Sequence, residues 1–142
     1  MWGDKNTFNK LASANFVFLK ENYDMHIINI NNDFCIKFQS NITWLELWYD
    51  KYTLSVEIGT NNGQHQASLF DIMQFAKGGT PTASYTASTE ERLKSGLQFL
   101  SDCVKLYAHG ALIGDVEFYE KVQKNIQNIQ KQAEDKGRDT NA

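Results

Sequence analysis

The sequence contains few of the residues that usually mark metal, disulfide or redox chemistry. Its 142 residues include two cysteines, three histidines and one proline. The two cysteines, Cys35 and Cys103, lie in separate predicted elements, and we expect both to be buried or half-buried thiols. The first ten residues lack the basic-then-apolar order of a signal peptide. Together these features predict a cytoplasmic protein.

Strong charge of one sign and long apolar runs are also missing. The formal net charge is -3, and acidic and basic residues are spread along the whole chain. Because binding to phosphate groups needs a concentrated basic face, nucleic acid is not expected as the main partner. The longest apolar runs fall far short of the roughly 20 residues that a membrane-spanning helix needs, so no membrane association is expected.

No motif for catalysis or for a cofactor is present. None of the histidines, at positions 26, 65 and 109, has a second ligand residue at metal-binding spacing. The cysteines show no sign of activation by a helix N-terminus, and no GxSxG segment occurs. The Gly78-Gly79 pair follows a short predicted helix rather than a strand and lacks the lysine of a phosphate loop. We therefore expect no metal, no cofactor and no enzymatic activity.

The pattern of apolar residues predicts four strands between a first helix and three later ones. Apolar positions at helical spacing favour a helix over residues 5–22, and alternation favours strands over 25–30, 34–39, 43–50 and 52–58. Asn31, Asn32 and Asp33 form the predicted hairpin turn between the first two strands. The connections are too short for crossovers, so the strands are predicted to form an antiparallel meander.

The later helices are predicted from their caps and stripes. Ser68 begins a short helix that ends at Gly78. Ser88 and Glu91 match a capping box for the next helix, which Gly110 would end. Asp115 begins the last. The predicted fold is α+β in the order α-β-β-β-β-α-α-α, with helices mainly on one face of a four-stranded sheet. We expect a single domain over residues 1–136 and a disordered tail over residues 137–142.

One face of the predicted sheet carries an unusual set of side chains. In the strand over residues 43–50, two tryptophans alternate with two acids on one side, and the next strand adds another acid. Exposed tryptophans are enriched at protein interfaces, and acids around them suit a basic partner. The candidate partner-binding residues, here called the tryptophan face, are Trp44, Glu46, Trp48, Asp50 and Glu57.

Three alternatives to an open binding face remain at this point. The last helix could fold back over the tryptophans and make them ordinary packing residues. Its thin apolar stripe with polar flanks also resembles a coiled-coil seam, which favours a structural homodimer through that helix. A small-ligand-binding protein or enzyme, with a pocket between the sheet and the loop over residues 78–87, is the remaining alternative.

The order of segments resembles small uncharacterised bacterial proteins, some of which are similar to immunity proteins encoded beside secreted toxins. The resemblance covers residues 5–120 in layout: FLKENY at the end of the first helix, the strand meander with its tryptophans, SLFDIMQF, and TEERLKSGLQFLSDCVKLYAHGALIGD before the last helix. It implies a cytoplasmic protein that binds and blocks one toxin domain and has no chemistry of its own. Many nuclease toxins are basic, which agrees with the acidic face. No binding residue can be transferred, because the family offers no defining motif to match.

Overall fold

The computed structural model describes residues 5–28 and 34–140, and the side chains of residues 7–28 and 34–136. Six helices occur in this part of the chain: α1 (Lys5–Asn15), α2 (Phe18–Tyr23), α3 (Leu69–Lys77), α4 (Glu90–Tyr107), α5 (His109–Leu112) and α6 (Val116–Thr140). Six strands occur there as well: β1 (His26–Ile28), β2 (Cys35–Gln39), β3 (Thr43–Asp50), β4 (Thr53–Thr60), β5 (Gln66–Ser68) and β6 (Tyr85–Thr86). No helix in these residues is both long and apolar enough to cross a membrane.

The strands form one open antiparallel sheet in the order β1-β2-β3-β4-β5, and β6 also pairs with β4. The long pair at its centre, β3 and β4, runs from Thr43 opposite Thr60 to Asp50 opposite Thr53. Both short strands lie on the outer edge of β4: β5 pairs near its end, and β6 pairs at its start. The fold is therefore α+β, as predicted, with an open antiparallel sheet.

The alternation of apolar and polar residues determines which face of the sheet is buried. Along β3, side chains are alternately buried and half-buried up to exposed Asp50. The buried face carries a nearly continuous layer of apolar side chains that are at most 6% exposed. Its members on the three long strands are Ile36, Phe38, Leu45, Leu47, Tyr49, Leu54, Val56 and Ile58.

The helices pack against this apolar face. Aromatic contacts join α1 and the turn after it to the sheet, with ring centroids 5.5 Å apart for Phe8 and Tyr49 and 6.1 Å apart for Phe16 and Phe38. At the other end, the buried Thr43 hydroxyl donates a 2.7 Å hydrogen bond to the carbonyl oxygen of Leu112 in α5. The opposite face, which bears the tryptophans, keeps partial exposure along β3.

The sheet has more strands than the four predicted. The predicted strands correspond to β1–β4, although residues 29–33, with the predicted turn, lie outside the described residues. The additional strands β5 and β6 contain three and two residues. A strand this short shows no measurable alternation, and its pairing is determined by the long neighbour β4. The observed order is therefore α-α-β-β-β-β-β-α-β-α-α-α.

The helix boundaries also differ from the predicted ones in three places. The first helix is interrupted, because the Leu19 amide bonds to the Phe16 carbonyl and so tightens the chain there. This turn buries Phe16 and Phe18 together, although they would point apart on a regular helix. Thr89, not Ser88, caps α4, since its side chain accepts from the amide of Arg92. Gly110 lies within α5 and does not end α4.

Other predicted helix ends are confirmed. The Ser68 hydroxyl caps α3 by accepting a 3.1 Å hydrogen bond from the Asp71 amide. Gly78 ends α3 with a φ of 76°, a backbone angle that favours glycine. The Asp115 carboxylate accepts from the amide of Phe118 at 3.4 Å at the start of α6. Helix α6 continues to Thr140, so it includes the first part of the predicted tail, while residues 141–142 lie outside the described residues.

Candidate functional site

The strand register assembles the tryptophan face around a transverse row of charged residues. Lys37 on β2 lies opposite Glu46 on β3, and Glu46 lies opposite Glu57 on β4. Side chains at paired positions project to the same face. Trp44 and Trp48 stand two positions before and after Glu46, so they project from this face too. Three charged groups and two indoles therefore share a small area of half-buried surface.

The indole ring of Trp44 packs over Gly59. A Cβ atom built on Gly59 would be 2.5 Å from Cζ2 of the indole and 2.7 Å from Cε2, so the ring occupies the space of a side chain that Gly59 lacks. The Lys37 ammonium lies 5.5 Å from the centroid of the same ring. The indole is thus fixed from below by backbone and carries a cation–π contact within the face.

Trp48 is paired with Cys35 on one side and Ser55 on the other. The Cys35 thiol is buried, and this burial, reinforced by the Glu46 carboxylate and opposed by Lys37, raises its pKa to about 12. A thiol with so high a pKa is protonated at neutral pH and is a poor nucleophile. Cys35 therefore acts as an apolar support beside Trp48.

Glu57 is the acid most affected by its surroundings. Burial raises the pKa of its carboxyl group, and the neighbouring carboxylates of Asp71 and Glu46 raise it further. Asp71 belongs to the first turn of α3 and was not among the predicted site residues. Its sequence position gives little indication of this role, because an acid at the start of a helix is already explained by the helix dipole. It reaches the face because Ser68, three residues earlier, pairs with Glu57.

The five predicted site residues are not equally close together. The register brings Trp44, Glu46, Trp48 and Glu57 to the middle of the face. Asp50 lies at the end of β3 opposite Thr53, where both side chains are exposed. Asp50 is thus at the margin of the face.

The last helix makes its closest contacts elsewhere. Helix α6 contacts α3, α5 and β5. The ring of Tyr119 in α6 stacks on His65, which lies just before β5, with the ring centroids 5.6 Å apart. Trp44 and Trp48 remain half-buried rather than buried. The main contacts of α6 with the sheet therefore lie at the β5 edge.

Each histidine has a local partner that accounts for its position. His26 lies 3.3 Å from the Asp24 carboxylate at the surface. His109 forms a 2.7 Å hydrogen bond with the Tyr23 hydroxyl, and His65 stacks on Tyr119. Within the residues that the structure describes, no group of three histidine, cysteine or acidic side chains is arranged to hold a metal ion.

Comparisons with protein-family models, with curated proteins and with solved structures find no match to this chain.

Proposed function

We propose that this chain is a non-enzymatic protein-binding domain, of the kind that acts as an immunity-type inhibitor of a secreted bacterial toxin, and that it binds its partner through the tryptophan face. The observation that carries the proposal is the half-buried state of Trp44 and Trp48 on the sheet face opposite the helices. The side chains of β3 that alternate with the tryptophans point to the helices and are buried.

The two indoles have the properties of interface anchors. Tryptophan contributes a large contact area with little conformational entropy, and it is enriched among the residues that dominate binding energy. The ring of Trp44 packs over Gly59 and contacts the Lys37 ammonium, and both contacts favour one orientation of the ring before a partner binds. A rigid anchor loses less entropy on binding than a mobile one.

The charges around the indoles favour a basic partner. Glu46 and Glu57 lie directly opposite each other, which is unfavourable for two like charges on neighbouring strands. Neither carboxylate forms an ion pair among residues 7–28 and 34–136. A lysine or arginine from a partner would relieve this repulsion and fix the register of the complex. Nuclease toxins, many of them basic, are a protein class with this chemistry, and the layout that resembles immunity proteins points to the same class.

Binding between the chain and the product of the adjacent gene tests the proposal, with isothermal titration of the purified pair as the measurement. Trp48→Ala should weaken binding by about 2 kcal/mol or more, as expected for an anchor residue. Leu106→Ala is a suitable control, because Leu106 is an exposed apolar side chain in α4, 72% accessible, remote from β3 in the chain. Circular dichroism spectra should show that both variants fold.

Two results would count against this function. Unchanged affinity of the Trp48→Ala variant would exclude the tryptophan face. Affinity that is insensitive to salt, and equal for the Glu46→Gln variant, would exclude the basic character of the partner.

A further inference from the structure

Helix α4 has a second apolar face, which lies towards α3 rather than the central strands. Its first stripe, including Leu93, Leu97 and Leu100, is fully buried in the core. A second set at helical spacing, Phe99, Cys103 and Leu106, is directed away from that stripe. These side chains and Tyr107 line a cleft of about 410 Å³ whose other walls are Met73 and Lys77 of α3 and Thr82 of the following loop.

The cleft has an apolar interior with well-supported walls. Cys103 is 5% exposed and Met73 is 2% exposed, while Leu106 at the mouth is 72% exposed. The ring of Phe99 is backed by Tyr85 of β6, with the ring centroids 6.0 Å apart. The volume lies within the range of small-molecule sites, which are mainly apolar with a few polar groups at the rim. The loop over residues 78–87 borders this cleft, but the opposing wall is α4 rather than the sheet.

Two opposite charges stand at the rim without pairing with each other. The Lys77 ammonium lies 5.9 Å from the centroid of the Tyr107 ring. The Asp102 carboxylate accepts a 3.0 Å hydrogen bond from the side-chain amide of Gln98 on the same helix. The ion pairs of the described residues involve neither group. The pKa of the Cys103 thiol in the interior is raised, mainly by burial. Both rim charges also act on this pKa: Lys77 lowers it and Asp102 raises it.

From this arrangement we propose that the cleft between α3 and α4 binds a small amphipathic zwitterion, of which a free apolar amino acid is the simplest example. The apolar side chain would contact Phe99, Cys103 and Leu106. The carboxylate would face Lys77, and the ammonium group would face Asp102. This site is separate from the tryptophan face, and the proposal does not depend on a protein partner.

Titration calorimetry with L-phenylalanine and L-leucine tests the proposal on the full chain. We expect saturable binding of at least one of them at concentrations up to about 10 mM, with weaker binding of 3-phenylpropionate and phenethylamine, which each lack one of the two charges. Lys77→Gln should weaken amino-acid binding about tenfold, since it removes a charged contact. Leu106→Glu should also weaken it, because it replaces an apolar contact at the mouth by a hydrated charged group.

Lys105→Gln is the matched control. Lys105 lies on the same helix and holds its ammonium 4.9 Å from the Phe18 ring centroid, but it does not line the cleft. Its replacement should leave amino-acid binding unchanged. Three results would overturn the proposal: no saturable binding of either amino acid, equal binding of the analogues that lack one charge, or equal effects of the Lys77 and Lys105 substitutions. Unfolding midpoints of all variants establish that each is folded.

Discussion

Gly59 illustrates how a single missing side chain shapes the tryptophan face. The Trp44 indole occupies the position where a Cβ atom of residue 59 would be, only 2.5 Å from Cζ2. Any other residue must displace the ring or the strand. The orientation of the indole is thus determined by a residue on the neighbouring strand as well as by its own.

Gly59→Ala should therefore destabilise the protein by about 1–3 kcal/mol, the usual cost of overpacking a closely packed site. Urea unfolding measures the change in the free energy of unfolding. In a Trp44→Ala background the same substitution should cost less, because the ring is gone and only the His65 carbonyl oxygen, 3.0 Å from the added Cβ atom, remains close. A cost of equal size in both backgrounds would show that the strand itself, rather than Trp44, excludes the side chain.

The raised pKa of Glu57 predicts how the stability of the protein depends on pH. This pKa is raised above the ordinary value of 4.5, mainly by burial, so the folded state holds the proton more tightly than the unfolded state. At a pH below the ordinary pKa of 4.5, the carboxyl is neutral in the folded and in the unfolded state, and it does not lower the free energy of unfolding. As the pH rises through the raised pKa, the charge forms in the folded state and stability is lost.

Glu57→Gln should remove this loss. We expect the variant to be more stable than the natural chain at neutral pH, because it removes a half-buried charge; the repulsion by the opposed Glu46 accounts for about 0.2–1 kcal/mol of the gain. The difference should disappear at a pH well below 4.5. Urea unfolding at both pH values measures it, and a difference that is equal at the two pH values would contradict the assigned cause.

At the scale of the elements, the short helix α5 is attached to the sheet by one buried hydrogen bond. The Thr43 hydroxyl donates to the Leu112 carbonyl over 2.7 Å, and Thr43 is fully buried. Thr43→Val keeps the shape but leaves the carbonyl without this donor, so we expect a loss of about 1–3 kcal/mol. Thr53→Val, at an exposed position of β4, is the control and should change stability by less than about 0.5 kcal/mol. Equal losses in thermal or urea unfolding would refute the proposed role.

The two halves of α6 should contribute unequally to stability. Tyr119 and Val122 are buried in the core, whereas every side chain described from Gln127 to Lys136 is exposed. A chain that ends after Gln127 should lose only the helical signal of residues 128–140 in circular dichroism, and its free energy of unfolding should fall by less than about 1 kcal/mol. A chain that ends after Gly114 should fail to fold, because it lacks those core residues. If the chain that ends after Gln127 fails to fold, the exposed half of α6 has a structural role.

The same truncation also tests the homodimer that the stripe of α6 suggests. Ile126 is partly buried against the core, and Ile129, one turn further, is 37% exposed. If a second copy pairs with this stripe, light scattering should show a dimer for the full chain and a monomer for the chain that ends after Gln127. The same number of copies in both would exclude pairing through the exposed half of the helix.

Considered as a whole, the molecule follows its sequence most closely where a pattern extends over many residues. The alternation in β3 and β4 predicted the two faces, because it extends along all of β3 and along β4 as far as Ile58. Local patterns failed where long-range contacts decide: β5 and β6 form on the edge of β4, and the division between α1 and α2 follows the joint burial of Phe16 and Phe18.

The candidate sites show the same division. The tryptophan face could be predicted because its residues alternate along one strand. Asp71 could not be predicted, since only the return of the chain from β5 brings it towards Glu57. The cleft between α3 and α4 could not be predicted from the periodicity of apolar residues either. Its second stripe on α4 is apolar, but nothing in the order of residues shows that α3 lies across from it.

The shared edge of β4 has a consequence for the motions of the native state. β5 pairs with Glu57, Ile58 and Gly59, and β6 pairs with Thr53 and Leu54, so the chain leaves this edge and returns to it around α3. The segment from β5 to β6 is thus attached to β4 by short pairings at both ends, three residue pairs for β5 and two for β6, whereas β3 and β4 are paired over their whole length. Hydrogen exchange should therefore show β5, α3 and β6 opening together, at a lower free energy than the central strands and without unfolding them.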